Sequence, residues 1–365
     1  MEPVNSRSRI FGLDIMRAAA ITFVMLSHGN MYSGKLADPA GYRWVFLDGV
    51  GLFFVLSGFL IGGILIRTLQ NGDLRPGVMG GFWMRRWLRT LPAYFAVLTF
   101  LLCCYAAVHG HLPPAWIRYY TFTQNLVTPH PLFFAEAWSL SVEEWFYLIV
   151  PLSLFLAVRF PAEKKWTIIV LIVVFIVVVT GIRLHRADSF DPLAGNFGEE
   201  IVKVVVTRLD SIMYGVLAAW LAFYYPAGFA RFRKPLLVGG LILLFASNFD
   251  FGLFYYTRIR YSLVPLITIM LLPFLSTFRK EDGLAYRIIT FISLISYSMY
   301  LTNHMIVQRG MLPVITRTLG LDLAGNPTHN LVAYLLFWIL TIVAATVLYR
   351  VIEKPFMDLR RRWEG

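Results

Sequence analysis

Ile10-Phe11-Gly12-Leu13-Asp14-Ile15-Met16-Arg17-Ala18-Ala19-Ala20-Ile21-Thr22-Phe23-Val24-Met25-Leu26-Ser27-His28 decides how the chain is read. Residues 10–26 form an apolar run of membrane-crossing type, yet it contains Asp14 and Arg17, and His28 follows at its end. Arg17 and His28 are eleven positions apart. At about 100° and ~1.5 Å per residue they share one helix face, roughly 16 Å apart along the axis. An ionisable side chain in hydrocarbon costs at least about 2.5 kcal/mol, so such a stripe needs partners inside a bundle and by default marks a functional path.

Composition extends this reading to the whole chain. Of 365 residues, 58% are hydrophobic and only 15% charged, and the mean hydropathy is +0.65. Apolar runs of about 18 or more residues read as membrane helices. Ten are found, at 10–29, 45–66, 91–109, 139–158, 166–183, 205–225, 235–250, 259–278, 288–308 and 329–352, with 205–225 and 235–250 short or interrupted. The expected fold is all-α and polytopic, one unit over 1–365 with the bilayer as its solvent. The only cysteines, Cys103 and Cys104, are adjacent in the third span and read as apolar filler, so neither a disulfide framework nor a metal site is expected. The first run does not read as a cleaved signal peptide, because Asp14 and Arg17 interrupt it.

A net charge of +12 first suggests nucleic acid. Alternating spans with a cytoplasmic N-terminus explain it better. They place 21 Lys and Arg on the cytoplasmic side and 11 on the outer side, with Arg17 inside the membrane completing the 33. The positive-inside rule then puts both termini in the cytoplasm, and nucleic acid is discounted as a partner.

Local motifs add chemistry. Segment 67–90 ends in Phe82-Trp83-Met84-Arg85-Arg86-Trp87-Leu88-Arg89, where Arg85 and Arg89 share a helix face. An interfacial helix with ordinary positive anchors and a guanidinium cluster for a phosphate-rich ligand fit this spacing equally well. Ser141 with Glu144 three residues later is a capping-box pattern, which leaves Glu143 without a capping role at the start of a span. Gly58 and Gly62 in the second span have close-packing spacing, either for packing alone or for a narrow slot beside Ser57. In the alternating topology His28, Asp48, Glu143, Glu144, Asp210 and His304 gather at the outer level, and Arg85, Arg86 and Arg89 at the inner level. One end therefore suits proton chemistry by a neutral imidazole beside a carboxylate, and the other suits an anion.

The ordered motifs carry a resemblance. Leu13-Asp14-Ile15-Met16-Arg17-Ala18-Ala19-Ala20 is followed by His28 after ten residues. Gly51-Leu52-Phe53-Phe54-Val55-Leu56-Ser57-Gly58-Phe59-Leu60, Arg86-Trp87-Leu88-Arg89, Gln124-Asn125-Leu126 and Trp138-Ser139-Leu140-Ser141-Val142-Glu143-Glu144 come next. Ser296-Tyr297-Ser298-Met299-Tyr300-Leu301 with His304, then Val351-Ile352-Glu353-Lys354-Pro355-Phe356, close the series. In this order the chain resembles integral-membrane acyltransferase family 3, bacterial enzymes that O-acylate carbohydrates. Two positions depart from the family pattern: Trp145 where Gln is common, and Thr302-Asn303 where an aromatic precedes the late His.

The resemblance implies a multi-pass protein of the bacterial inner membrane that takes acetyl-CoA, or another short acyl-CoA, from the cytoplasm and needs no metal. It implies that Arg85, Arg86 and Arg89, with Ser57, hold the donor, that Arg17 lies along the acyl path beside Asp14, and that His28 is the base with Glu143 as its acidic partner. Asp48, Asn125, Trp138, Glu144, Asp210 and His304 are the expected acceptor contacts, for a cell-surface or lipid-linked carbohydrate. It also implies that the extracytoplasmic hydrolase-like domain of some relatives is missing, so that a second acetyl transfer needs another protein. The reading from another class is a proton-coupled transporter or glycolipid flippase, which intramembrane His, Asp, Glu and Arg also suit.

Overall fold

The computed structural model describes residues 9–33, 48–71, 76–160, 162–191, 195–247, 249, 251–279, 282–323 and 326–360. Residues 45–47 of the second expected span, and Arg7, Lys35, Arg43, Arg75, Lys280, Arg361 and Arg362 of the charge count, lie outside them. Helices dominate and no strand occurs among the described residues. The main helices are α1 (Phe11–Ser33), α2 (Gly49–Gln70), α3 (Pro76–His109), α4 (Ala137–Ala157), α5 (Lys164–Asp188), α6 (Leu209–Tyr224), α7 (Arg233–Ala246), α8 (Arg260–Leu275), α9 (Leu284–Thr302), α10 (Pro327–Leu348) and α11 (Lys354–Arg360).

Eight helical stretches among the described residues are long and apolar enough to cross a bilayer. Two of the ten expected spans fall short. The expected 205–225 forms the 16-residue α6, and 235–250 forms the 14-residue α7. At ~1.5 Å per residue these reach roughly 24 and 21 Å, less than the ~30 Å hydrocarbon core. The opposite difference occurs at α3, which runs unbroken for 34 residues. The basic stretch 76–90 is therefore continuous with the helix that carries the third expected span, 91–109. Apolar side chains on the outer helices face outward: Val170, Val173, Val174, Val177 and Val178 on α5, and Leu335, Ile339, Val343 and Val347 on α10, are all exposed. Stripes of that kind are stable only against lipid.

Two buried clusters form the interior. One joins α1, α3, α9 and α10 around Met25, Tyr94, Leu301 and Phe337. The other joins α2, α4, α5 and α6 around Phe54, Phe146, Ile172 and Met213. α2 and α6 run parallel in near backbone contact. A Cβ on Gly58 would lie 1.9 Å from the Ile212 carbonyl oxygen, and one on Gly215 2.1 Å from that of Val55. The glycine spacing thus serves helix packing, while the adjacent Ser57 faces a cavity.

Buried ion pairs pin the frame. Arg183 Nη1 donates to Asp210 Oδ2 at 2.6 Å, with both side chains fully buried, and Arg183 also donates to the Thr207 carbonyl and Ser262 Oγ. Arg208 donates to Asp48 Oδ2 at 2.7 Å, while Asp48 Oδ1 accepts from Gly51 N and caps α2. Removing one partner of such a pair leaves an uncompensated charge, which costs far more than the intact pair contributes.

Candidate active site

A cavity of about 820 Å³, counting its open mouth, lies where the two clusters meet. Arg17 of α1, Arg86 and Arg89 of α3, Glu143 of α4 and Ser57 of α2 all line it. These five residues come from four helices far apart in sequence. Apolar side chains such as Val50, Phe53, Phe54, Leu60, Ile61 and Leu140 make up much of the remaining wall, joined by hydroxyls of Thr90, Ser139, Tyr147, Ser296, Tyr297 and Tyr300.

At one end sit three guanidinium groups. Arg17 Nη1 lies 3.5 Å from Asp14 Oδ1 and donates to Ser293 Oγ at 3.3 Å. Asp14 is buried; it also accepts from Arg9 and, at 2.7 Å, from Ser293 Oγ. Asp14 therefore fixes Arg17 and stands about 21 Å along α1 from His28, fourteen residues at ~1.5 Å each. Arg85 is not among the lining residues, and its guanidinium folds back toward Gly81. Arg86 and Arg89, three apart, both reach the cavity, while Arg85, although four residues before Arg89, does not.

Glu143 and Glu144 sit deeper than the sequence suggested. α4 begins at Ala137, after Glu136, so the expected cap at Ser141 is four residues inside the helix. Ser141 Oγ bonds the Ala137 carbonyl and accepts from Gln124 Nε2. Glu144 Oε1 accepts from Thr90 Oγ1 at 3.0 Å instead of capping. Glu143 Oε2 accepts from Tyr147 OH at 3.0 Å, and Tyr147 OH pairs with Ser57 Oγ at 2.8 Å. The two carboxyls thus stand at the level of the arginines, roughly 10 Å into α4, and not with the imidazoles.

The lining residues along α9 order the cavity. Ser293 is the partner of Arg17; Ser296, Tyr297 and Tyr300 line the wall; and Asn303 one turn further contacts His28. His28 itself is not among the lining residues. Its Nδ1 is 2.5 Å from Asn303 Oδ1, so the orienting partner is this amide and not Glu143. The ring of His304 lies beside it, with centroids 4.8 Å apart and a 40° tilt, so the two imidazoles do gather as expected. Tyr300 and Ser139, whose hydroxyls are 2.6 Å apart, line the cavity wall. Tyr300 OH also donates to the carbonyl of Glu136.

Glu136 was not singled out by sequence. It is buried, its Oε1 accepts from the backbone N–H of Met305 at 2.8 Å, and its Oε2 has no hydrogen-bond partner among the described residues. Burial pushes its carboxyl up to about 7, opposed by the backbone donors. In the preceding loop burial pushes His130 down to about 4; its Nε2 meets the Phe134 carbonyl.

Other expected acceptor contacts hold the scaffold. Asn125 Nδ2 donates to the carbonyls of Trp138 and Lys203. Trp138 packs edge-on to Phe54. Asp48 and Asp210 are in the ion pairs described above. Trp145 Nε1 donates to the Phe122 carbonyl and fastens the loop before α4. Among the described residues no cluster of three or more His, Cys, Asp or Glu is arranged to hold a metal.

An all-helical membrane bundle with an internal arginine-lined cavity and an adjoining imidazole pair is the frame that the comparisons extend. The acyltransferase-domain family profile matches residues 10–350, so the chain belongs to the integral-membrane acyltransferase family 3. It is similar to a peptidoglycan O-acetyltransferase of Listeria monocytogenes, 24% identical over 60% of this chain and 35% of that protein. A Staphylococcus aureus protein provisionally named as an O-acetyltransferase is 25% identical over 94% of this chain and 57% of its own length. A Bacillus subtilis relative, provisionally named for peptidoglycan O-acetylation, is 31% identical over 39% of this chain and 23% of its own. The chain thus spans well under two thirds of these relatives. No solved structure matches it significantly.

Proposed function

We propose that the protein is a membrane O-acyltransferase moving an acetyl or similar short acyl group from acyl-CoA to a carbohydrate hydroxyl on the opposite face of a bacterial cytoplasmic membrane. The observation that carries this is the single cavity joining Arg17, Arg86 and Arg89 to a wall that ends one helical turn from the His28–His304 pair. The CoA phosphates suit the guanidinium end, where bidentate charge-assisted bonds are available. The thin pantetheine arm suits the apolar wall beside Ser57.

In this reading the thioester lies near Tyr300 and Ser139. His28 takes the proton of the acceptor hydroxyl as the oxygen attacks the thioester carbonyl. The C–S bond breaks, the thiolate leaves and recovers that proton, and ester and free CoA are the products. A positioned general base contributes typically ~10²–10⁴-fold. Peptidoglycan, the substrate in two relatives' names, is one acceptor of the carbohydrate class proposed.

The test is purified protein with isotopically labelled acetyl-CoA. Slow release of free CoA without acceptor, accelerated by glycan fragments that gain label, supports the reading. A protein that binds no acyl-CoA and releases no thiol belongs instead with transporters. Mass spectrometry of surface glycans from a deletion strain then identifies the hydroxyl.

A further inference from the structure

Two side-chain amides stand between the imidazole pair and the backbone, and each is held by atoms that can only accept. Asn303 Nδ2 lies 2.9 Å from the Met299 carbonyl oxygen and 2.9 Å from that of Tyr300. A carbonyl oxygen has no hydrogen, so the amide nitrogen must face these two, and both its hydrogens are committed. The atom facing His28 Nδ1 at 2.5 Å is then the amide oxygen, and Nδ1 must carry the hydrogen between them.

Gln308 repeats the arrangement. Its Nε2 donates to the backbone carbonyl of His28 at 2.5 Å, which turns its Oε1 to His304 Nδ1, also at 2.5 Å. That ring too must carry its hydrogen on Nδ1. The segment bearing both amides leaves α9 as a π-helix over Asn303–Met311, and the Glu136 carboxylate accepts from Met305 N within it. The π turn places Asn303, His304 and Gln308 on the side of α1 that carries His28.

We propose that Asn303 and Gln308 are positioning residues that lock His28 and His304 as Nδ1–H tautomers, so that His28 presents a bare Nε2 as the base. This rests on the reading of His28 as the base, and it adds which nitrogen acts and what holds it there. The proton drawn from the acceptor hydroxyl arrives on Nε2, while Nδ1–H stays on a neutral amide rather than on a carboxylate. His304 offers a second bare Nε2 beside it.

The test uses the full chain in lipid bilayers with ¹⁵N-labelled histidine, and the His28 signals are assigned by difference from His28→Gln. Above the titration range the expected spectrum shows Nδ1 protonated and Nε2 bare. Asn303→Leu should lower kcat about tenfold with KM for acetyl-CoA unchanged. Asn303→Asp keeps an oxygen acceptor for Nδ1–H and should retain the rate within about threefold. A protonated Nε2 on His28 in the unmodified chain overturns the proposal, and so does an Asn303→Leu enzyme with full kcat. Full activity in His28→Ala with the expected tautomer in the spectrum would sink the base reading alone.

Discussion

Arg89→Ala tests the donor end of the cavity. Three guanidinium groups line it against one lining carboxyl, Glu143, so each guanidinium removed takes a substantial share of the positive charge. A charge-assisted hydrogen bond is worth about 1.5–3 kcal/mol. A unit pair at ~4 Å and an effective dielectric of about 20 gives ~4 kcal/mol, which bounds the loss from above. Acyl-CoA affinity should therefore fall about 10- to 150-fold, by calorimetry or fluorescence in detergent at fixed salt. Arg86→Ala should lose a similar amount. Arg85→Ala is the internal control: it lies one residue away, off the cavity, and should change affinity less than about threefold. The affinity of the unmodified protein should also weaken as salt is raised, because the contact is ionic. Unchanged affinity in Arg89→Ala, or an equal loss in Arg85→Ala, would return the basic stretch of α3 to plain membrane-sidedness signalling.

Four further outcomes follow from packing and titration. Asp210→Ala strands the buried Arg183 cation and should destabilise the protein by about 3–5 kcal/mol in a denaturation assay. Gly58→Ala places a methyl against the Ile212 carbonyl and should destabilise by about 1–3 kcal/mol or prevent insertion, with Gly77→Ala, which meets nothing, as the neutral control. Glu136 has its folded carboxyl at about 7 against an ordinary 4.5, so its contribution is full below 4.5 and is lost as pH rises through 7. Glu136→Gln should abolish that loss, worth up to about 3 kcal/mol, and thermal melts at pH 5 and pH 8 read it. His130 has the opposite sign: with its folded value near 4 against 6.5, its contribution is full above 6.5 and is lost as pH falls through 4. In the Glu136→Gln protein, stability should therefore rise with pH between 4 and 6.5, because the two slopes no longer offset each other.

Much of this was readable from sequence because a bilayer allows few solutions. The helical class follows from periodicity, and the expectation that His28 and His304 lie at one level of the bundle agrees with their ring contact. The depth of Glu143 did not follow. Apolar character begins near Ser139 and the capping pattern points to Ser141, yet the helix starts at Ala137 with Glu136 as its N-cap, so the carboxyls lie more than a turn deeper than the capping pattern implies. α6 and α7 are shorter than their expected spans because apolar composition alone does not supply helix length. Arg85, Arg86 and Arg89 interrupt the hydropathy of α3 but not the helix itself, so the apolar run marks only its second half. The partner of His28 was the hardest residue to foresee: Asn303 is 275 positions away, and its one sequence signal was the departure from the family pattern beside His304. Tyr147, four residues after Glu143 on the same helix face, was within reach of spacing.

The central claim is that one imidazole abstracts the acceptor proton while the arginine end holds the donor. It is tested most directly by His28→Ala in proteoliposomes, measuring acyl-CoA affinity and glycan O-acylation on the same sample. The account expects affinity unchanged within about twofold and transfer reduced at least ~100-fold. Transfer at the normal rate by a folded, donor-binding His28→Ala protein would contradict it.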